Sequence, residues 1–332
     1  MKLATLKDGS RDGRLVVVSW DLRYAVEARP FKTLQQALEN WSTAETALSL
    51  RYQALNRGEA LGRFAFDATQ AEAPLPRAYQ WCDGSAFLNH GHLVQRAFNL
   101  PPQAEAHIPL MYQGASDDFL GPCDDIVLPS EEQGIDFEGE FAVIVDEVPM
   151  GCPASQALQY VRLVMLVNDV SLRGFIQREM KAGFGFLQAK PSSSFSPVAV
   201  TPQELGAAWR DGRVCLSLLV SWNHEWFGQP NGAEMSFSFA DLIAHAASTR
   251  RLRAGTIIGS GTVSSVDREA GSACISERRA IEMIDHGQAS TPFMRFGDRI
   301  RIESLNAEGE TVFGAIDQCI VAQPSLIQES SL

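Results

Sequence analysis

Apolar and polar positions change period several times along the chain, and each change predicts an element. Residues 2–7 form a short strand-like run. Asp8-Gly9-Ser10-Arg11-Asp12-Gly13 is turn chemistry, and residues 15–20 are a β-branched run, so the chain opens with a predicted hairpin. Between residues 33 and 56 the period becomes helical: Leu34, Ala37, Leu38 and Trp41 recur at helix spacing, as do Ala47, Leu48 and Tyr52. Ala71-Glu72-Ala73-Pro74-Leu75-Pro76 reads as a linker, because prolines stop elements and favour extended chain. A boundary near residue 75 divides the chain into a small unit, 1–75, and a large one, 76–332.

Strand patterns dominate the large unit. Residues 137–145 are a strand in which apolar and acidic positions alternate at first, 162–167 are an apolar run, 214–221 alternate, and 298–305 and 310–321 flank an Asn306-Ala307-Glu308-Gly309 turn as a hairpin. Helices are expected at 153–162, around 172–181 and at 239–247. No internal repeat or low-complexity segment is visible. The order of elements predicts a mainly β, α+β fold with few helices, not an alternating α/β one.

Length and charge narrow the function. A chain of 332 residues with 45% hydrophobic positions builds a core without staples. A formal charge of -12 argues against nucleic acid and against a membrane surface as partners. The six cysteines, Cys82, Cys123, Cys152, Cys215, Cys274 and Cys319, are scattered without C-x-x-C or zinc spacing and read as small buried hydrophobes in a reducing compartment. The first residues do not read as a signal peptide, and no apolar stretch is long enough to span a bilayer, so cytoplasm is the default expectation.

The chemistry concentrates in carboxylates. In Asp136-Phe137-Glu138-Gly139-Glu140-Phe141 the alternation of a strand points Glu138 and Glu140 the same way. Two such carboxylates repel unless a cation lies between them; the competing reading is a solvated strand face. Gly139 leaves the opposite face bare. Asp169 follows the apolar run Leu163–Val167 as a site residue or as a helix N-cap. Asp83-Gly84-Ser85 reads as a loop, and His90 as either structural or catalytic. Four dispersed carboxylates without a Cys/His set suit a hard cation and exclude an EF-hand loop. The acidic loop Ser116-Asp117-Asp118-Phe119-Leu120-Gly121 reads as solvated. Arg173 would share a helix face with Asp169 if a helix began there. The glycines and serines around Lys190 are in the wrong order for a P-loop, and the absence of G-x-S-x-G removes a serine hydrolase.

Taken in order, these motifs resemble the fumarylacetoacetate hydrolase family. Asp83 with His90 seven residues on, Glu138-Gly139-Glu140, Asn168-Asp169-Val170-Ser171-Leu172-Arg173, Lys190 with Ser196-Pro197, Ser260-Gly261-Thr262 and Tyr112-Gln113-Gly114 carry the resemblance, from about Tyr79 to about Cys319. It implies a small SH3-like N-terminal domain, a larger mixed β-sandwich roll, a homodimer, and a divalent cation (Mg2+, Ca2+ or Mn2+). The implied metal ligands are Asp83, Glu138, Glu140 and Asp169. The implied catalytic groups are His90, Glu277, Arg173 and Lys190, and the implied substrate contacts are Tyr112, Gln177, Thr262 and Arg96. Several positions depart from the family pattern: Ser85 and Lys181 stand at family tyrosines, Gln177 and Arg96 are displaced in offset, and Glu277 is only the nearest match to the histidine's partner.

The implied reaction is hydrolysis of a carbon–carbon bond in a 1,3-diketo acid, with fumarylacetoacetate and its fumarate and acetoacetate products, from tyrosine breakdown, as the leading substrate. Alternatives of the same family are acylpyruvate or fumarylpyruvate hydrolysis, oxaloacetate decarboxylation and isomerisation. A non-catalytic cation-binding protein is the alternative of a different class.

Overall fold

The computed structural model describes residues 1–99 and 107–324; the end of the predicted large unit, past residue 324, lies outside the described residues. An eleven-stranded sheet forms the spine. From one edge it runs Phe64–Ala65, Tyr24–Glu27, Arg14–Val18, Lys2–Leu6, Ala199–Val200, Val161–Asn168, Gly139–Val145, Thr256–Gly259, Trp81–Gly84 and Met111–Gly114, with Ser194–Phe195 also paired to Val161–Asn168. The N-terminal hairpin is part of this sheet: Lys2 pairs with Val200 and Leu3 with Ala199. Trp81–Gly84 and Thr256–Gly259 pair in parallel, and the flanking pairings are antiparallel. A second sheet has five strands, Glu225–Gly228, Leu218–Trp222, Arg299–Ser304, Ile316–Ala322 and Ile126–Leu128.

The strand Gly139–Val145 is buried on both faces, so past Glu140 its sequence is a continuous apolar run instead of an alternation. Phe141, Val143 and Val145 share one core with Val220, Ile300, Ile302 and Ile316 of the second sheet. Ala142 and Ile144 share the other with Leu34, Leu38, Trp41 and Leu48, from the helices Leu34–Leu38 and Trp41–Asn56. Each large side chain buried here contributes roughly 1.5–3 kcal/mol. Gly139 is not bare on its far side: a Cβ there would come within 2.8 Å of Leu218 Cδ2, so the glycine lets the second sheet close against the first.

The structure corrects several expectations about elements. The helix expected at 153–162 shrinks to Ala154–Ala157 and a 3-10 turn, because the β-branched run that follows starts a strand at Val161. The segment 71–76 is no free linker: Ala71, Ala73 and Leu75 are buried, Thr5 Oγ1 donates to the Pro74 carbonyl at 2.6 Å, and the strap lies against the first hairpin. Two helices were not anticipated, Leu88–Ala97 and Ile275–His286. The first follows Phe87, which gives no side-chain cap, and contains Gly91; the second is capped by a cysteine sulfur. The C-terminal hairpin exists, with Ile302 opposite Ile316, but its connection is longer than the Asn306–Gly309 turn. Phe239–Ala246 begins with a full capping box of Ser238 and Asp241.

Candidate active site

Three carboxylates meet where neighbouring strands end on the same side of the large sheet. Val167 pairs with Glu140, so Asn168 and Asp169 leave one strand beside the start of the next. Gly259 lies between Ala142 and Asp83 in register. A Cβ on Gly259 would stand 2.3 Å from Asp83 Oδ1, so the missing side chain makes room for that carboxylate. Asp83 lies on a buried strand, not in the loop expected, and Gly261 N donates to its Oδ1 at 3.1 Å from a turn with φ +75°. One oxygen each of Asp83, Glu140 and Asp169 lie within 4.8 Å of one another, and all three residues are buried.

Buried together, the three carboxylates repel one another. Burial, and then the neighbouring Asp169, push the Asp83 carboxyl up to about 8. Burial, then Asp83 and Asp169, push Glu140 well above the usual carboxylate range. Both Glu140 oxygens are buried and accept no hydrogen bond. An orphaned buried carboxylate beside two others, with only oxygen donors, fits a hard divalent cation.

Glu138 belongs to an adjoining ion-pair network. Its Oε1 accepts from Arg173 Nη2 at 2.7 Å and its Oε2 from Lys190 Nζ at 2.5 Å. Burial raises this carboxyl, but the charges of Lys190 and Arg173 outweigh burial and hold it well below its ordinary value. Lys190 also donates to Asp169 Oδ2 at 2.6 Å, and its ammonium lies 5.5 Å from the centre of the Tyr112 ring. Arg173 opens the helix Arg173–Ala182 and points to Asp136 and Glu138, so the expected sharing of a helix face with Asp169 does not occur. Asp169 is likewise not the N-cap; that position is Leu172.

His90 lies on Leu88–Ala97 and Glu277 on Ile275–His286. The two helices pack so that His90 Nδ1 is 2.8 Å from Glu277 Oε2, across 187 residues of sequence. Glu277 is 1% exposed. A carboxylate accepts, so Nδ1 carries the proton and Nε2 is left as the basic nitrogen. Tyr112 donates its hydroxyl to Asp169 Oδ2 at 2.6 Å, and its ring meets Phe186 edge-on at 5.2 Å. Thr262 is buried directly after the Gly261 turn. Gln177 and Arg96 are not gathered in: both are exposed on their helices. In the loop expected to be solvated, Asp117 and Asp118 are exposed, but Phe119 and Gly121 are buried.

Three polar residues of the site escaped the sequence reading. Asp136 receives Arg173; its signal was the two-residue spacing Asp136, Glu138, Glu140. Ser193 donates to Asp169 Oδ1 at 2.8 Å. Glu179 accepts from the backbone N–H groups of Leu187, Gln188 and Ala189, fixing the turn that delivers Lys190; nothing local marks such a contact.

Residues 80–321 match the family model "Fumarylacetoacetate (FAA) hydrolase C-terminal", and residues 1–77 match "Fumarylacetoacetase N-terminal domain 2". The chain belongs to the fumarylacetoacetate hydrolase family. Among curated family relatives, the human mitochondrial oxaloacetate tautomerase FAHD2A is 26% identical over 237 residues, 70% of this chain and 69% of that protein. The 2,4-didehydro-3-deoxy-L-rhamnonate hydrolase of Sphingomonas sp. is 32% identical over 167 residues, 49% of this chain and 55% of that protein. Matches to the curated relatives span between 50% and 74% of their lengths. The maleylpyruvate hydrolase of Sphingobium sp. SYK-6, crystallised with manganese(II) and pyruvate, has the same fold, with TM-score 0.65 and 18% identity over 98% of this chain and all of that one. Among the described residues no helix is long and apolar enough to cross a membrane.

Proposed function

We propose that this chain hydrolyses a carbon–carbon bond in a 1,3-diketo acid, with fumarylacetoacetate as the leading substrate. The observation that carries the reading is the His90–Glu277 pair, a base with its orienting carboxylate, with His90 in electrostatic reach of Glu138, which Lys190 bridges to Asp169 of the buried carboxylate trio. Asp83, Glu140 and Asp169 would hold Mg2+, Ca2+ or Mn2+, with Glu138, the fourth predicted ligand, adjoining them. When bound, such an ion supplies Lewis-acid polarisation of a carbonyl oxygen.

The chain's own residues supply the rest. Glu277 holds His90 by Nδ1, so Nε2 takes a proton from the attacking water. Water oxygen bonds to the carbonyl carbon, and Arg173 and Lys190 hold positive charge for the oxygen that becomes negative. The carbon–carbon bond then breaks, its electron pair leaves as an enolate, and His90 returns the proton to carbon. The products are a carboxylic acid and a ketone; for fumarylacetoacetate, fumarate and acetoacetate, the last step of tyrosine breakdown. A homodimer and a cytoplasmic location belong to the same reading, the latter supported by six unpaired cysteines.

A second reading, keto–enol tautomerisation or decarboxylation of oxaloacetate, is favoured by the 26% identity to the human tautomerase. It needs a proton-transfer base but no attacking water. The assay follows loss of diketone absorbance of fumarylacetoacetate, with acylpyruvates, fumarylpyruvate and oxaloacetate in parallel, with and without EDTA. Rapid, EDTA-sensitive loss of fumarylacetoacetate establishes the first reading. Turnover of oxaloacetate alone would replace it with the second, and no turnover beside tight metal binding would leave a cation-binding protein.

A further inference from the structure

Asp136 is a fully buried carboxylate outside the proton-transfer pair and the carboxylate trio. Its Oδ1 accepts from Ile275 N at 2.7 Å; its Oδ2 accepts from Ser276 N at 2.9 Å and from Arg173 Nε at 2.7 Å. Ile275 and Ser276 are the first two residues of the helix Ile275–His286, and Glu277 is the next. Arg173, held on one side by Asp136, reaches Glu138 with its other edge. One carboxylate therefore grips both the backbone that carries the partner of His90 and the guanidinium of the cation network.

We infer that Asp136 is a positioning residue that sets the His90–Glu277 pair against the Arg173–Lys190 cations. The inference rests on the hydrolytic reading of that pair. The helix start has a weak local cap: the Glu277 N–H donates to Cys274 Sγ at 3.3 Å, and sulfur is a poor acceptor. A negative charge at a helix N-terminus, bonded to two of its free N–H groups, is the stronger anchor. Asp136 also pairs with Ser171 between two strands, so its own backbone is fixed. The contacts span 139 residues to Ile275 and 37 to Arg173, so separate parts of the chain hold register through this side chain.

The test compares the intact wild-type protein with Asp136→Asn, Glu277→Gln and the double variant. Asparagine keeps the shape, but its amide donor would face N–H donors. One readout is the downfield imidazole N–H proton resonance of His90, assigned by its absence in His90→Ala; a second is Mn2+ binding by calorimetry. The expected result is that Asp136→Asn loses or displaces the resonance as Glu277→Gln does, with Mn2+ affinity kept. With the diketo acid, kcat should fall on the order of 10–100-fold, the range for outer partners of an active site, with KM nearly unchanged, and the same change in the Glu277→Gln background should have little effect. An unaltered His90 resonance in Asp136→Asn, or full additivity of the two substitutions, would overturn the inference. Should Asp136→Asn fail to fold, Asp136→Glu keeps the charge and moves it by one methylene; an undisplaced resonance there overturns the inference equally. The resonance and Mn2+ readouts need no substrate, so absence of turnover by the wild type would remove the hydrolytic reading alone.

Discussion

Replacing Asp83 with Asn should make the metal-free protein more stable, and increasingly so as pH rises. Burial first, and then Asp169, push the folded carboxyl up to about 8 from an ordinary 3.8. For a group whose folded pKa lies above its unfolded value, stability is fully present below the unfolded pKa and lost as pH rises through the folded one. At pH 7 roughly three pH units separate the solution from the unfolded value, so the penalty is on the order of 4 kcal/mol. Asparagine has the same shape and no charge, so it escapes this penalty, and it also relieves Glu140, which is raised by the same neighbour. The assay is urea denaturation of both proteins from about pH 5 to about pH 8, once in EDTA and once in Mn2+. In EDTA the variant should gain on the wild type steadily with pH. In Mn2+ the order should invert, because an ion bound only by the wild-type fold stabilises that fold alone. Parallel curves in EDTA would refute the electrostatic reasoning, and a wild type indifferent to Mn2+ would refute the cation site.

Two further substitutions separate the functions of the site. His90→Ala should lower kcat by roughly 10²–10⁴-fold, as for a lost general base, while calorimetry finds Mn2+ bound as in the wild type; normal turnover would remove His90 from the mechanism. Glu140→Ala should lose Mn2+ binding and activity together, since it deletes the one trio member with no protein donor, and full activity in metal-free solution would sink the site.

Much of the architecture was legible along the chain because it follows from local period. The Lys2–Leu6 and Arg14–Val18 hairpin, the helices between residues 34 and 56, and the strands around Phe141 and Leu166 each announce themselves in five to sixteen neighbouring residues. The helix Leu88–Ala97 did not, because it lacks a capping side chain and carries a glycine. At 153–162 the helical spacing competes with the stronger strand signal that begins at Val161, so the α-helix stops at Ala157.

The site divides along the same line. Residue type and order alone determined that Asp83, Glu138, Glu140, Asp169, Lys190 and Arg173 should be weighed together, since carboxylates interrupting apolar runs are expensive to bury and need a reason. Only the tertiary structure decided how they divide: Asp83, Glu140 and Asp169 converge, while Glu138 is taken up by Arg173 and Lys190. Only the packing of two helices decided that Glu277 meets His90, and only the missing Cβ of Gly259 lets Asp83 lean into the trio. The physical reason is range. Period, turn chemistry and caps act over a few residues, whereas the partners of the Asp83, Asp136, Asp169 and Glu277 side chains come from 21 to 187 residues away and are chosen by strand register and helix packing.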